Sequence, residues 1–241
     1  MRCAIVIPAR MDSTRFPGKP LVDLLGKPML QWVVESAKEC GVADRVVVAT
    51  PDYEIADACR AFRTQAIMTS SKHPTGTDRI AEVAETINAE VYVNVQGDEP
   101  LIRPSDIAAC AAPLLDDRSV QMGSLYADCP PEEVDNPAVV KVVMDPKGDA
   151  LYFSRAAIPY ERNATKEPKK KHIGLYAYTG GVLGRFATWK QTPLEKTESL
   201  EQLRFLENGV KIRMSRGEGS EMAVDTPEQA EAVRALLAAR A

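Results

Sequence analysis

The first half of the chain alternates short apolar runs with longer segments whose apolar residues recur at helical spacing, and this restricts the fold more than any other feature. Parallel strands need crossover helices, and a strand covered on both faces is apolar throughout. The alternation therefore predicts an α/β fold, a Rossmann-like, mostly parallel sheet flanked by helices. Residues 3–7 read as a buried strand, and 28–40 as a helix with Met29, Leu30, Val33, Val34 and Ala37 on one face, closed by Gly41. Strand 45–49, helix 52–62, strand 66–68, helix 77–85 and strand 89–95 follow.

Beyond about residue 120 the pattern becomes hairpin-like. Segments 139–144 and 150–153 flank the turn Asp145-Pro146-Lys147-Gly148, and 164–171 is a polar, Lys-rich loop. Residues 172–178 return to strand-like alternation, 193–208 read as one helix ending at Gly209, 210–214 as a strand and 227–239 as an Ala-rich helix. The expectation is a single domain over 1–241, with an inserted β-rich element at about 120–190, no internal repeat and no flexible linker.

The 241 residues include 30 Lys plus Arg against 34 Asp plus Glu, a formal charge of −4. No global positive field draws such a chain to nucleic acid or an anionic membrane, so a phosphate site has to be local. The five cysteines are scattered and form no CxxC, which fits reduced thiols in a cytoplasmic protein rather than a disulfide framework or a zinc site. The N-terminal apolar run is too short for a signal peptide, and no run approaches the roughly 18 apolar residues of a membrane span, so no membrane insertion is expected.

Three polar clusters interrupt the apolar pattern. In loop 8–20, Arg10, Arg15 and Lys19 follow a buried strand, with Pro8 and Pro17 stiffening the path and Gly18 permitting close approach. Ser13 and Thr14 add donors, and the set suits a polyanion although it lacks the P-loop pattern GxxxxGK[ST]. The second cluster, Gln96-Gly97-Asp98-Glu99-Pro100, leaves the carboxyl end of an apolar strand, where open sheets bind ligands. Asp98 there can hold a metal or cap the loop, while Asp225, just before the last helix, reads first as part of its N-cap and otherwise as a second ligand. In the third, strand alternation puts His172, Gly174, Tyr176 and Tyr178 on one face, as aromatic packing or as a pocket wall. Ser70, Thr75, Gly76, Thr77, Asp78 and Arg79 form a polar turn before a helix, an ordinary cap or a holder of base or phosphate. No Ser or Cys sits in a nucleophile elbow, which leaves metal-assisted displacement at phosphorus as the chemistry these residues suit.

In order and spacing, IPAR..STRFPGKPL, KHPTGTDRIAEVA, VNVQGDEPLI, NPAVVKVV, ALYFSRAAIPY, KHIGLYAY, LEQLRFLENG and VDTPE resemble the 3-deoxy-manno-octulosonate cytidylyltransferases, or CMP-Kdo synthetases, over nearly the whole chain. The resemblance implies Mg²⁺-dependent transfer of CMP from CTP to a 3-deoxy-ulosonic acid, Kdo, for lipopolysaccharide synthesis, by a homodimer whose β element contributes to the contact. It implies nucleotide contacts from Pro8, Ala9, Arg10, Ser13, Arg15, Lys19, Ser70, Thr75, Gly76, Asp78, Arg79 and Gln96, with Arg10, Arg15, Lys19 and Asp98 catalytic. Asp98 and Asp225 would hold the metal, and Gln96, Arg155, His172, Tyr176, Glu201 and Gln202 the sugar, Arg155 facing its carboxylate. Asp12, Thr179 and Ala223 depart from the family pattern, which keeps an 8-amino octulosonate or a sialic acid as alternative substrates and a non-catalytic nucleotide-binding regulator as an alternative role. A glycosyltransferase would need a DxD pair, and QGDEP supplies one Asp.

Overall fold

The computed structural model describes all residues except 14, 164–166, 221 and 241, so Thr14 and part of the polar loop 164–171 lie outside the described residues. Strand β1 (Cys3–Pro8) sits in mid-sheet, with Cys3, Ile5 and Ile7 facing one side and Ala4 and Val6 the other, all fully buried. Period-two alternation with both faces apolar is what a strand covered on both sides requires. The short hairpin β2 (Asp23–Leu24) and β3 (Lys27–Pro28) leads into helix α1 (Met29–Glu39). Then come β4 (Arg45–Thr50), α2 (Tyr53–Ala61), β5 (Gln65–Met68), α3 (Gly76–Thr86), β6 (Val91–Asn94), α4 (Pro104–Asp116) and β7 (Met122–Asp128). Strands β8 (Lys141–Met144), β9 (Ala150–Ser154) and β10 (Lys170–Thr179) precede α5 (Gly180–Phe186), α6 (Pro193–Glu198), α7 (Gln202–Glu207), β11 (Ile212–Arg216) and α8 (Pro227–Ala238).

The main sheet runs β11-β7-β10-β6-β1-β4-β5. Its pairs β6/β1, β1/β4, β4/β5 and β7/β11 are parallel, and β10 alone runs antiparallel between β6 and β7. The predicted mostly parallel sheet is thus present. Within the predicted β element, β7 and β10 are inner strands of this sheet, while β8 and β9 extend from β10 as a hairpin. From β1 the chain steps outward through β4 to β5, then returns across β1 to β6. The order reverses there, so the loops after β1 and β6 diverge and leave a crevice at their carboxyl ends. Helices α1, α2 and α4 bury their apolar faces on one side of the sheet, and α3, α5 and α7 on the other. Helix α8 packs Ala230, Val233 and Leu237 against Leu24, Leu101 and Val224.

Two helices stand where the sequence pattern predicts none. Helix α4 contains Pro113 and α5 begins with two glycines, both poor interior helix formers, yet their apolar sides are buried. Tertiary burial outweighs propensity at both places. Conversely, the predicted single helix over 193–208 is two helices, broken at Ser199, whose φ of 51° is left-handed. The cause lies in Glu195 and Arg204. Nine residues apart on a straight helix they would point to opposite sides, about half a turn out of phase. The break lets Arg204 Nε and Nη2 donate to both Glu195 carboxylate oxygens at 2.7 and 2.5 Å, with both side chains almost fully buried.

A buried bidentate pair is costly to break from one side, because the remaining charge has no partner. Glu195→Leu is expected to lower unfolding stability by about 3–5 kcal/mol, and adding Arg204→Met to recover most of that loss. Urea denaturation of the two variants checks this; a double variant as unstable as the single one would contradict it.

Candidate active site

The crevice is built first by the loop after β1, which backbone contacts hold in place. Ala9 N donates to Ala49 O at 3.0 Å, Met11 N to the Asp52 carboxylate at 2.7 Å, and Gly18 N closes the loop on Met11 O at 3.1 Å. Gly18 has φ 73°, a left-handed conformation that a side chain disfavours, and it starts the 3-10 turn Lys19–Leu21. The loop after β6 passes close by. A Cβ on Gly97 would lie 2.9 Å from Pro8 O, so only glycine lets the two loops meet.

A third wall comes from the segment before α8. Val224 N donates to Asp98 O at 2.9 Å, which sets Asp225 beside Asp98. The N-cap expected at Asp225 is in fact Thr226, whose side chain accepts from Gln229 N, while Gln229 Oε1 accepts from Asp225 N at 2.7 Å and Thr226 N at 3.0 Å. A neighbouring threonine makes the better box, and the Asp225 carboxylate turns to the crevice. There Lys19 Nζ donates to Asp98 Oδ2 at 2.8 Å and to Asp225 Oδ1 at 3.1 Å, and Arg15 Nη2 lies 3.0 Å from Asp225 Oδ1.

The fourth wall is the start of α3. Thr75 is its N-cap, accepting from Asp78 N at 3.2 Å and donating to Asp78 Oδ2 at 2.7 Å, so Asp78 is tied into the cap. Arg79 is buried and donates to Ser70 O at 3.2 Å, while Ser70 itself is exposed. The resulting cleft, of about 360 Å³, is lined by Pro8, Ala9, Arg10, Ser13, Arg15, Lys19, Thr75, Gly76, Arg79, Gln96, Asp98 and Asp225. Of the nucleotide residues expected from sequence, Ser70 and Asp78 are not among its lining. Asp12 lines it as an exposed residue, and His73 lines it without having been expected. His73 Nε2 sits 2.5 Å from Glu82 Oε2, which also accepts from Ser70 N. Burial alone would raise the Glu82 carboxyl, but the Ser70 amide and His73 hold it below its ordinary value. The signal for His73 was its place two residues before the cap Thr75.

Behind Gln96 lies a more enclosed polar region. Gln96 Nε2 donates to Asn94 Oδ1 at 3.3 Å, and Asn94 pairs with Tyr176 across β6 and β10. The rings of His172 and Tyr176 are 5.4 Å apart and those of Tyr176 and Tyr178 6.1 Å, on one face of β10. Tyr176 Oη donates to Gln202 Oε1 at 3.3 Å, and Thr77 Oγ1 donates to Glu201, so α3, α7 and β10 converge. Burial raises the Glu201 carboxyl despite hydrogen bonds from Thr77 and Thr75. Glu99 is pushed up to about 7 by burial, with Asp98 and Asp106 adding to it. Burial, then the Glu201 charge, also raises the Tyr176 phenol.

Arg155 lies elsewhere. Its guanidinium donates to the carbonyls of Glu198 (2.8 Å), Pro137 (2.9 Å) and Ser199 (3.3 Å), so here it braces the α6–α7 break rather than facing this region. Thr179 pairs with Val91 at the far end of β10, away from the carboxyl ends that form the crevice. Among the described residues, no group of three or more His, Cys, Asp or Glu forms a metal cluster. All five cysteines are buried and free, and no described helix is long and apolar enough to cross a membrane.

A cation-lined cleft at a sheet switch point, with paired carboxylates and an adjoining polar chamber, is the equipment of a nucleotidyltransferase. The family model described as cytidylyltransferase matches residues 4–212. The chain is 46% identical to the 3-deoxy-manno-octulosonate cytidylyltransferase of Geobacter metallireducens over 97% of this chain and 96% of that one. It is 44% identical to the protein of the same name from Escherichia coli, over 98% and 96%. A solved structure described as CMP:2-keto-3-deoxy-manno-octonic acid synthetase complexed with CTP superposes with a TM-score of 0.97 at 44% identity, covering all of both chains. A cytidylyltransferase from Leptospira borgpetersenii, at 18% identity and TM-score 0.67, shares the fold. The chain belongs to the 3-deoxy-manno-octulosonate cytidylyltransferase family.

His172 offers a test of the chamber's burial. The ring is half-buried, and that partial loss of water drops its imidazole from 6.5 to about 3. Between those values the unfolded chain binds the proton and the folded chain does not, so stability falls as pH falls through this window. His172→Gln is expected to flatten the Tm-versus-pH slope between about pH 6.5 and about pH 4. An unchanged slope would mean that the ring is well solvated.

Proposed function

We propose that the cleft holds CTP with a divalent cation, Mg²⁺, and that the chamber behind Gln96 holds the sugar acid, so that the chain joins CMP to 3-deoxy-manno-octulosonate and releases pyrophosphate. The observation that carries this is the Lys19 ammonium between two carboxylates, 2.8 Å from Asp98 and 3.1 Å from Asp225, in a cleft also lined by Arg10 and Arg15. A cation already sits between these carboxylates in the structure, and hard oxygen donors in this number suit Mg²⁺, which takes one or two carboxylates and completes its shell with phosphate and water. Asp98 and Asp225 would hold it, and it would neutralise charge on the triphosphate as pyrophosphate departs.

The chain's own residues supply the rest. Arg10 and Arg15 bind triphosphate oxygens, and Lys19, released from the carboxylates, turns to the same oxygens. The capped start of α3 puts Thr75 and Gly76 on the cleft wall, where the first amides of the helix would serve the nucleoside or its phosphates. Gln96 stands at the border of cleft and chamber, where the anomeric oxygen attacks the α-phosphorus: the new O–P bond forms, the bond from the α-phosphorus to the bridging oxygen breaks, pyrophosphate leaves and the hydroxyl proton passes to solvent. Tyr176, Glu201, Gln202 and His172 surround the sugar acid. The hairpin of β8 and β9, with Leu151 exposed on β9, contributes a subunit contact in a homodimer acting in the cytoplasm in lipopolysaccharide synthesis.

Pyrophosphate release from CTP is expected only when Kdo is supplied together with Mg²⁺. Asp98→Asn is expected to lower kcat by at least about 10²-fold while the CTP dissociation constant moves by less than about tenfold. A near-wild-type rate would remove Asp98 from the metal, and no release with Kdo would remove the substrate assignment.

A further inference from the structure

Ser124 lies on β7 opposite Tyr176, where the β7/β10 register shifts between Ile173 and Tyr176. Its side chain is fully buried and its hydroxyl meets three groups: Leu175 O at 2.9 Å, Ile173 O at 3.4 Å and His172 Nε2 at 2.9 Å. The hydroxyl has one proton and the two carbonyls can only accept. Were that proton given to His172, both carbonyl oxygens would press on the lone pairs of Ser124 Oγ with no hydrogen between them. With that O–H donated to Leu175 O, the lone pairs of Ser124 Oγ accept and His172 has to donate through Nε2–H. The bulge creates this geometry. It turns the carbonyls of Ile173 and Leu175 towards the same side chain, which a regular ladder would not do.

The ring is held as well as the proton. Phe153 packs against it edge-on at 4.9 Å and Tyr176 at 5.4 Å, and a half-turn of the ring would put Cε1 in place of Nε2 and cost the hydrogen bond to Ser124 Oγ. No hydrogen bond joins His172 Nδ1 to another described residue. Burial favours the neutral ring, with no neighbouring charge acting on it. A neutral imidazole protonated at Nε2 presents a bare lone pair at Nδ1.

We propose that Ser124 is a positioning residue that fixes the tautomer of His172, making its Nδ1 an obligatory hydrogen-bond acceptor for a hydroxyl of the sugar acid and never a donor to its carboxylate. This rests on the reading that the His172 face of β10 meets the sugar. His172 then selects substrates by a hydroxyl and takes no part in moving the proton of the attacking oxygen.

Nitrogen-15 spectra of the histidine side chains and steady-state kinetics with Kdo and CTP test this together. In the wild type the proton is expected on Nε2 of His172 and absent from Nδ1 from about pH 8 to about pH 5. In Ser124→Ala the two tautomers are expected to mix. The KM for Kdo should then rise about tenfold while that for CTP stays within about twofold, and Ser124→Thr should restore both readouts. A wild-type proton on Nδ1 overturns the proposal whether or not the sugar binds here. A tautomer that shifts in Ser124→Ala with an unmoved KM for Kdo instead removes the sugar from this face, and the proposed role with it. Equal loss for both substrates, unrescued by Thr, would reduce Ser124 to a structural residue.

Discussion

The site depends on one contact, the Lys19 ammonium between Asp98 and Asp225. Two carboxylates at this separation repel each other, and the cation between them is what allows both to face one cleft without an added ion. Each of the three residues is delivered by a different constraint. A left-handed glycine starts the turn that carries Lys19. The apolar strand β6 ends just before Asp98, and a backbone bond from Val224 to Asp98, backed by the packing of α8, brings in Asp225. Loss of Lys19 would leave Asp98 without this cation and Asp225 with Arg15 alone, so the bridge between the two carboxylates would open.

The fold explains why the triad stands where a ligand can reach it. Reversal of strand order across β1 leaves the loops after β1 and β6 apart, and Gly97 sets how closely they approach. The antiparallel strand β10, lying beside β6, then supplies a second wall whose aromatic face is continuous with the cleft through Asn94 and Gln96. Charge separates the two regions. The cleft carries ionised groups in contact with solvent, while the chamber raises its acids and lowers its histidine by burial, favouring neutral hydrogen-bonding groups.

Much of this was legible in the sequence. Three cations behind an apolar run, and an Asp at the end of another, mark the cleft because strand ends in an open sheet are where loops converge. The shared face of His172, Tyr176 and Tyr178 follows from alternation and survives the bulge. What was not legible depends on partners distant in the chain. Asp225 looked like a helix cap because capping is local and its approach to Lys19 is not. The break at Ser199 is imposed by a buried pair whose members sit on either side of it, and no helix propensity reports that. Helices α4 and α5 form because the sheet buries them. Arg155, assigned to the sugar from resemblance, has three backbone carbonyls as partners that only the folded chain brings to it.

On the proposed function, Asp98 and Asp225 form a cation position that Lys19 fills until nucleotide arrives. A crystal structure with CTP and Mn²⁺, read by anomalous scattering, tests it most directly. A manganese peak bound by both carboxylates is expected, with Lys19 Nζ moved onto a phosphate oxygen. Manganese bound elsewhere, with Lys19 still joined to Asp98 and Asp225 beside bound CTP, would contradict it.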